Sequence, residues 1–331
     1  MIHHSQSITV MFKFKPIFKS VIWGGDKIAP YKGIQTEQEN IGESWELSGV
    51  RGDESVVAEG PYAGRTLPQL IAELKGELVG KSVYERFGTE FPLLVKFIDA
   101  RADLSIQVHP NDELSQARHG KKGKTEMWYV VQAAEGAHLK AGFAKALTPA
   151  EYEAAVADDT IADCLCDYKV APGDLFFLPA GRVHAICAGS FVAEIQQTSD
   201  VTYRIYDYGR LGKDGKPREL HTELAREAID YTVLPDYRSH YVPAKNRETE
   251  LVTCPYFTTS LYDLDAPAER DLSGMDSFLV VMGIAGSGTL ADDRGEEIPI
   301  RQGETVLIAA TTRTLCMRPG PDGLKILTSH L

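Results

Sequence analysis

Two stretches of the sequence carry polar side chains at spacings that suit metal binding. The first spans residues 104–128, and its alternation predicts a strand in which Ser105, Gln107 and His109 share one face. The intervening residues form the opposite, apolar face: Leu104, Ile106 and Val108. Glu126 starts a second strand-like run. An amide, an imidazole and a carboxylate together suit a borderline metal such as Zn²⁺, although this stretch alone equally fits a half-solvated edge strand.

The second stretch spans residues 170–187 and has a glycine, a proline, a second glycine and a histidine at fixed spacing. Pro179 and Gly181 predict a tight turn, after which His184 begins the next strand. With Gly173 before the turn, the pattern resembles the second sequence motif of the cupins, small β-barrels that hold a metal inside. The resemblance implies one metal ion held by four residues: Gln107, His109, Glu126 and His184.

The full pattern resembles a narrower family within the cupin superfamily, the type I mannose-6-phosphate isomerases (phosphomannose isomerases), in their short bacterial form. The resemblance rests on segments spread over the first two-thirds of the chain: Trp23-Gly24, Glu43 to Gly49, Ser105 to Pro110, Lys124 to Glu126, His184, and Glu194 to Arg204. The strings around Gln107 and Glu126 are specific and extend beyond a general cupin match.

This resemblance implies an isomerase that interconverts mannose 6-phosphate and fructose 6-phosphate by metal-assisted proton transfer between C1 and C2, with one Zn²⁺ per chain. The implied catalytic arginine is Arg204, whose planar guanidinium suits developing oxyanion charge or a phosphate. Lys124 is predicted to be a catalytic base or a phosphate anchor. Four more residues are implied to contact the sugar phosphate: Trp23, Ser105, Glu194 and Asp200. Asp200 is also a candidate base, and an arginine–aspartate pair that only holds a loop is the alternative.

One position departs from the longer members of the family. They carry a histidine directly before the Lys-x-Glu string, whereas this chain has Gly123. A histidine base is therefore excluded at that point, which leaves Lys124 and Asp200 as candidates for the base.

An internal repeat predicts the domain organisation. The run from Val130 through Gly173 to Ala180 recurs from Val280 through Gly303 to Ala310, with Thr314 where the first copy has His184. We therefore expect a mainly β protein with two cupin domains, each a jelly-roll-like β-barrel, and a few short helices. The alternative is a single-sheet protein in which the glycine spacing is a coincidence. Residues 11–240 are predicted to form the metal-binding catalytic domain with helical insertions, and residues 241–331 a metal-free domain.

Local patterns predict further elements. Residues 66–87 have helical spacing, and residues 219–231 form a second amphipathic stretch. Thr148, Pro149 and Glu151 have the pattern of a helix N-terminus with a capping box. Trp23-Gly24-Gly25 is read as a turn, and Lys96 within an apolar strand is a weak candidate for the site.

Composition narrows the possible partners. The 331-residue chain has a net charge of −12, which argues against nonspecific nucleic-acid binding, and it has no apolar run long enough for a membrane span. Five cysteines, an odd number in a large chain, favour free thiols and the reducing cytoplasm. Residues 1–10 are expected to be a loose extension.

Two other functions compete with isomerisation. A cupin oxygenase that uses Fe²⁺ favours a histidine-rich ligand set, which Gln107 and Glu126 fit poorly. A noncatalytic, sugar-sensing protein with two cupin domains would not need Lys124 and Arg204 beside an intact ligand set.

Overall fold

The computed structural model describes residues 9–212 and 214–331, and the fold is mainly β, as predicted. The strands are β1 Met11–Lys15, β2 Ile17–Gly25, β3 Ile41–Leu47, β4 Val56–Val57, β5 Leu93–Asp99, β6 Ile106–Val108, β7 Glu126–Ala133, β8 His138–Phe143, β9 Leu165–Lys169, β10 Leu175–Leu178, β11 His184–Ile186, β12 Ser190–Gln197, β13 Tyr203–Tyr206, β14 Arg238–Ser239, β15 Thr249–Thr253, β16 Thr258–Leu264, β17 Ala268–Asp271, β18 Leu279–Asp292, β19 Glu297–Arg301, β20 Thr305–Ile308 and β21 Thr314–His330. The helices are α1 Ile28–Lys32, α2 Leu67–Leu74, α3 Gly76–Val79, α4 Lys81–Phe87, α5 Asp112–His119, α6 Pro149–Ala157 and α7 Thr222–Ala228, with a 3₁₀ turn at Ile161–Cys164.

The chain forms two compact units, and each contains separate stretches of sequence. Among the described residues, the sandwich unit consists of 17–50 and 93–240, and the split unit consists of 9–16, 51–92 and 241–331. Residues 51–92 and the first strand therefore lie with the C-terminal strands, whereas the sequence placed residues 11–240 in one domain. The reason is pairing, because β1 bonds to β20 and β4. The expected loose extension, residues 1–10, lies mostly outside the described residues, but Val10 is buried.

The sandwich unit contains two antiparallel sheets with an apolar core between them. One sheet has seven strands in the order β14-β10-β7-β12-β5-β3-β2, and the other has five in the order β13-β6-β11-β8-β9. The core includes Trp128 and Val192 from the first sheet and Leu139 and Ile186 from the second. Within the described residues neither sheet closes on itself, so the predicted barrel is an open, two-sheet sandwich.

Helices cover the other face of the five-stranded sheet. Ile106 and Val108 from β6 pack there against Tyr152 of α6 and Ala225 of α7. The helix α6 begins as the sequence predicted. The Thr148 side chain accepts a hydrogen bond from the backbone N–H of Glu151, whose side chain accepts one in return from the backbone N–H of Thr148, and Pro149 occupies the first turn.

The split unit is built on a nine-stranded sheet that contains the second copy of the repeat. Gly173 and Gly303 both adopt positive φ in the turn before a four-residue strand, β10 in one copy and β20 in the other. His184 and Thr314 then begin β11 and β21 after turns of the same length. The predicted repeat is therefore present in the backbone.

Three local predictions were wrong. The Trp23-Gly24-Gly25 segment is the end of β2 and not a turn, and a Cβ on Gly24 would lie 2.1 Å from the Asn40 carbonyl oxygen. The predicted helix over residues 66–87 is three short helices, broken at Lys75 and Gly80, which have positive φ. Leu104 lies in the core between the sheets, opposite to Ile106, because β6 begins only at Ile106.

None of the helices in the described part of the chain has the length and apolar character needed to span a lipid bilayer.

The capping box of α6 yields a first prediction. Thr148→Ala removes the side-chain acceptor of the Glu151 N–H and should lower the free energy of unfolding by about 1 kcal/mol. Thr232→Ala, at an exposed position outside the helices of the same unit, is the matched control and should change it by less than about 0.5 kcal/mol. Urea denaturation of both variants measures the difference, and equal effects would contradict a capping role.

Candidate metal centre and active site

A row of cross-strand partners on the inner face of the seven-stranded sheet forms one wall of the candidate site. Trp45 of β3 pairs with Lys96 of β5, Lys96 pairs with Glu194 of β12, and Glu194 pairs with Trp128 of β7. Directly opposed residues of antiparallel strands point to the same face, so this register gathers polar and aromatic groups inside the sandwich. Glu126 lies two positions before Trp128 and therefore shares its face.

The five-stranded sheet contributes a second row. His184 of β11 pairs with Gln107 of β6, which in turn pairs with Arg204 of β13. The two rows meet at His184, whose ring centroid lies 5.2 Å from that of Trp128.

His109, Glu126 and His184 form a buried group that could hold a metal ion, with ligand atoms within 4.8 Å of one another. The Nε2 atom of His109 lies 3.5 Å from Glu126 Oε2, and the Nε2 atom of His184 lies 3.2 Å from Glu126 Oε1. The three side chains are at most 2% exposed. Sequence reasoning named all three, and the fold brings them together.

Hydrogen bonds orient both imidazoles. His109 Nδ1 donates to the Val201 carbonyl at 2.9 Å, and His184 Nδ1 donates to the Arg182 carbonyl at 2.8 Å. The Nε2 lone pairs therefore face Glu126. In metal sites, a hydrogen bond from the other ring nitrogen commonly orients a histidine ligand in this way. Burial and the charge of Lys124 lower the pKa of His184 to about 3 and hold that of His109 well below its usual range. Both rings are thus neutral, which is the form that binds metals.

Lys124 places its ammonium group beside these three side chains, where a metal cation would also bind. The Lys124 ammonium donates to Glu126 Oε2 and lies 3.1 Å from His109 Nε2. Glu126 Oε1 is buried and accepts no hydrogen bond from any described residue. Burial raises the pKa of Glu126 to about 7, although the charge of Lys124 opposes this rise. A site that already attracts an ammonium, and that leaves a carboxylate oxygen unsatisfied, fits a metal cation.

Gln107 lies beside the group and is steadied by Ser105. Its amide Nε2 is 3.4 Å from His184 Nε2, and its Oε1 accepts a hydrogen bond from the Ser105 hydroxyl at 3.3 Å. Rotation about the last side-chain bond exchanges the amide oxygen and nitrogen, so Gln107 can present either atom to the group.

A cavity of about 370 Å³ opens beside the metal group. Seven of the ten residues named from the sequence line it: Trp23, Ser105, Gln107, Lys124, Glu194, Asp200 and Arg204. The other three, His109, Glu126 and His184, contact Lys124 or Gln107. A volume of this size suits a small polar molecule.

A buried ion-pair network forms part of the cavity wall. The Lys96 ammonium lies 3.0 Å from Glu194 Oε2 and 3.4 Å from Glu43 Oε2. Trp128 Nε1 donates to Glu194, and Trp45 Nε1 donates to Glu43. Burial opposes ionisation, but the charges of Lys96 and Lys124 lower the pKa of Glu194 to about 2. The Glu194 side chain is therefore a carboxylate, held in place by its partners.

Three arginines lie close together beside the cavity. Arg218 lines it with Arg204 and donates from Nε to Asp207 Oδ2 at 2.7 Å, while Arg210 donates to Asp207 Oδ1 at 2.5 Å. Burial and the charge of Arg218 lower the pKa of Arg204, whose Nε is buried and donates to no described group. His221 Nδ1 accepts a hydrogen bond from the Arg204 backbone N–H at 3.0 Å and so anchors this strand.

Comparisons with known proteins agree with this geometry. Residues 11–152 match the family described as phosphomannose isomerase type I, catalytic domain, and residues 247–318 match the mannose-6-phosphate isomerase cupin domain. The chain is 37% identical to the Bacillus subtilis protein named mannose-6-phosphate isomerase ManA over 301 residues, which cover 89% of this chain and 91% of that protein.

The chain belongs to the type I phosphomannose isomerase family. Further similarity supports this membership. A mannose-6-phosphate isomerase from Streptococcus mutans is 33% identical over 311 residues, which cover 93% of this chain and 94% of that one. The crystal structure of the mannose 6-phosphate isomerase from Bacillus subtilis matches with a TM-score of 0.86 and 32% identity, covering 98% of this chain and all of that one.

The departure at Gly123 has a steric reason in this member of the family. A Cβ at this position would lie 2.5 Å from both the Asn111 carbonyl carbon and the Asp112 nitrogen. The Gly123 N–H donates to Asp112 Oδ1 at 2.8 Å, which fixes the approach. No side chain can occupy this position without backbone movement.

Sequence reasoning missed part of the cavity. Glu43 and Trp45 lie in a segment that carried the family resemblance, and Lys96 was singled out only weakly, by its apolar context. Arg218 had no signal, because only the return of the chain after β13 brings it beside Arg204. Asp200 lines the cavity, but its side chain is 48% exposed and is paired with Lys121 at 2.7 Å.

The ion-pair network predicts a large effect at Lys96. Lys96→Met should lower the free energy of unfolding by about 3–5 kcal/mol, because it leaves the buried Glu194 carboxylate without its cation. Lys245→Met breaks an exposed pair with Asp263 and should have little effect in the same denaturation experiment. Adding Glu194→Gln to Lys96→Met should restore part of the loss. Equal stability of the two single variants would show that the buried pair does not stabilise the fold.

Proposed function

We propose that this chain interconverts mannose 6-phosphate and fructose 6-phosphate by proton transfer between C1 and C2 of the open-chain sugar. The observation that carries the proposal is the buried His109–Glu126–His184 group, which adjoins a polar cavity lined by two lysines and two arginines, among other residues. The names of the relatives, which cover most of this chain, give the substrate class.

The metal is proposed to be one zinc ion at this group, held by Gln107, His109, Glu126 and His184. Neutral imidazole nitrogens, a carboxylate and an amide suit zinc, which has no redox chemistry to divert the sugar. When bound, zinc supplies Lewis acidity that polarises the oxygens on C1 and C2.

Lys124 is proposed to move the proton between the two carbons. It is buried, lines the cavity and already contacts Glu126 and His109, so a sugar carbonyl positioned at this group lies within its reach. Asp200, the other candidate base, is tied to Lys121 and half exposed, which suits hydrogen bonding to a sugar hydroxyl better than proton transfer.

Arg204 and Arg218 are proposed to bind the anionic parts of the substrate. Asp207 engages Nε and one terminal nitrogen of Arg218 and so orients it, while Arg204 has an unsatisfied Nε. We assign Arg204 to charge that develops on the oxygens in the transition state, and Arg218 to the phosphate.

The remaining substrate contacts are assigned to residues on the cavity wall. The Ser105 hydroxyl and the Glu194 and Asp200 carboxylates are proposed to bond sugar hydroxyls, with Trp23 as an apolar wall. A cytoplasmic location is also proposed, because each of the five cysteines has a free thiol.

The ligand set is tested by removing one ligand from each copy of the repeat. His184→Ala should lose most of the bound zinc and most of the isomerase activity, because it deletes a ligand from the buried group. Thr314→Ala, at the matching position of the split unit, is the control and should keep both. Zinc content by elemental analysis and a coupled assay with each sugar phosphate measure the outcome. Full zinc and full turnover in His184→Ala would overturn the ligand set, and a metal-loaded wild type without turnover would favour a sensing role.

The role of Arg204 predicts a specific kinetic signature. Arg204→Ala should lower kcat by about 10²–10³-fold with a smaller change in KM, because the lost donor acts mainly in the transition state. Arg204→Lys should restore little, since lysine lacks the planar fork. Arg218→Ala should instead raise KM. A folded, zinc-loaded Arg204→Ala variant with near-normal kcat would contradict the assignment.

A further inference from the structure

A second group of potential metal ligands lies in the sandwich unit, apart from the residues assigned to isomerisation. Asp103 precedes β6, His138 begins β8 and Cys187 directly follows β11. Each residue offers one ligand atom: a carboxylate oxygen, an imidazole nitrogen or a sulfur. These three atoms lie within 4.8 Å of one another. We call these three residues the Cys187 cluster.

The backbone orients the members of the Cys187 cluster. Asp103 Oδ1 accepts a hydrogen bond from the Ala188 N–H at 2.8 Å, which ties the aspartate to the residue after Cys187. His138 Nδ1 donates to the Gly136 carbonyl at 3.3 Å, which leaves the Nε2 lone pair available. This Nε2 atom lies 3.8 Å from Asp167 Oδ2, and Lys140 balances the charge of Asp167 at 2.7 Å.

The Cys187 sulfur lies among charges of both signs, with Asp103 and Lys140 close enough to act on it. Cys187 is fully buried, and burial together with the charge of Asp103 raises its pKa, so the thiol keeps its proton. The Tyr208 hydroxyl is buried and bonds no described group, and the charges of Cys187 and Asp103 contribute to raising its pKa. The cluster therefore combines soft and hard donors with an unsatisfied oxygen nearby.

We propose that Asp103, His138 and Cys187 form a second metal site for a zinc-class divalent cation. A thiolate, an imidazole and a carboxylate are typical ligands of Zn²⁺, whereas Mg²⁺ and Ca²⁺ require oxygen. Binding breaks the S–H bond, releases that proton to solvent and forms a metal–sulfur bond, so the thiolate and the Asp103 carboxylate balance the ion's charge.

A cation at the Cys187 cluster would connect the strands that carry the other site. Asp103 lies four residues before Gln107, and Cys187 lies three residues after His184. His138 belongs to β8, which pairs with β11. The second site would thus brace β6, β8 and β11 and stabilise the sandwich unit by the free energy of metal binding.

Cobalt separates the two sites spectroscopically. The full-length protein, stripped of metal with a chelator, is titrated with Co²⁺ and followed in the near ultraviolet, where only a thiolate-bound ion gives a sulfur-to-cobalt charge-transfer band. The band is expected in the wild type and in His184→Ala, because the His109–Glu126–His184 group contains no sulfur. Cys187→Ser should lose the band together with one equivalent of bound cobalt, and Cys254→Ser, in the split unit, should retain both.

His138→Ala keeps the test decisive if the buried Cys187→Ser variant does not fold. The His138 side chain is 29% exposed, so its removal should leave the fold intact. The cobalt concentration at the midpoint of the titration should rise at least about tenfold, since even the loss of an outer-shell partner of a metal ligand has an effect of this size. Metal binding at the Cys187 cluster should raise the Tm of His184→Ala, and this rise should disappear when His138→Ala is added. Absence of the band from the wild type, or its persistence unchanged in His138→Ala, would overturn the proposal.

Discussion

The antiparallel register of the two sheets is the constraint on which the site depends. Side chains alternate between the faces of a strand, so a slip of one residue would send Lys96, Glu194 and Trp128 to the opposite face of their sheet. The register between β11 and β6 is equally decisive, because it sets His184 directly opposite Gln107. Apolar neighbours on the same faces, such as Val130 and Ile98, maintain this register through burial in the core. Packing therefore positions the polar groups of the site.

A sandwich with charged groups in its interior must compensate for their desolvation. In the sandwich unit this is achieved by pairing, since Lys96 lies between two carboxylates and Lys124 contacts Glu126. The compensation is incomplete at Glu126 Oε1 and at Arg204 Nε, and both atoms belong to residues at or beside the cavity. Buried polar atoms without partners are rare in folded proteins, and they concentrate where a ligand completes the bonding. The polar interior thus marks where this fold departs from maximal stability.

The sequence predicted features that depend on residues close together in the chain, and it predicted less well those that depend on contacts between distant segments. The His184 turn, the α6 capping box and the Glu126 strand each lie within a dozen residues, and all three were predicted. The Glu43 carboxylate and the Lys96 ammonium come within 3.4 Å of each other only because β3 pairs with β5, a pairing for which a single sequence carries no signal. The turn predicted at Gly24 was wrong for a related reason. This position needs a glycine because the Asn40 backbone lies close to it, and the chain does not reverse direction there. Pairing between strands as far apart in sequence as β1 and β20 likewise leaves no local pattern.

The interleaving of the two units has a consequence for the order in which the chain can fold during synthesis. The sandwich unit needs no residue beyond His240, so all of its strands have left the ribosome while the last quarter of the chain is still being made. The split unit, in contrast, contains the first strand to emerge, and β1 bonds to β20 near the opposite end of the sequence. Its earliest segment must therefore wait, unpaired with its final neighbour, until almost the whole protein has been translated. The nascent chain thus completes the sandwich unit, with both groups of residues that could hold a metal ion, before it completes the split unit.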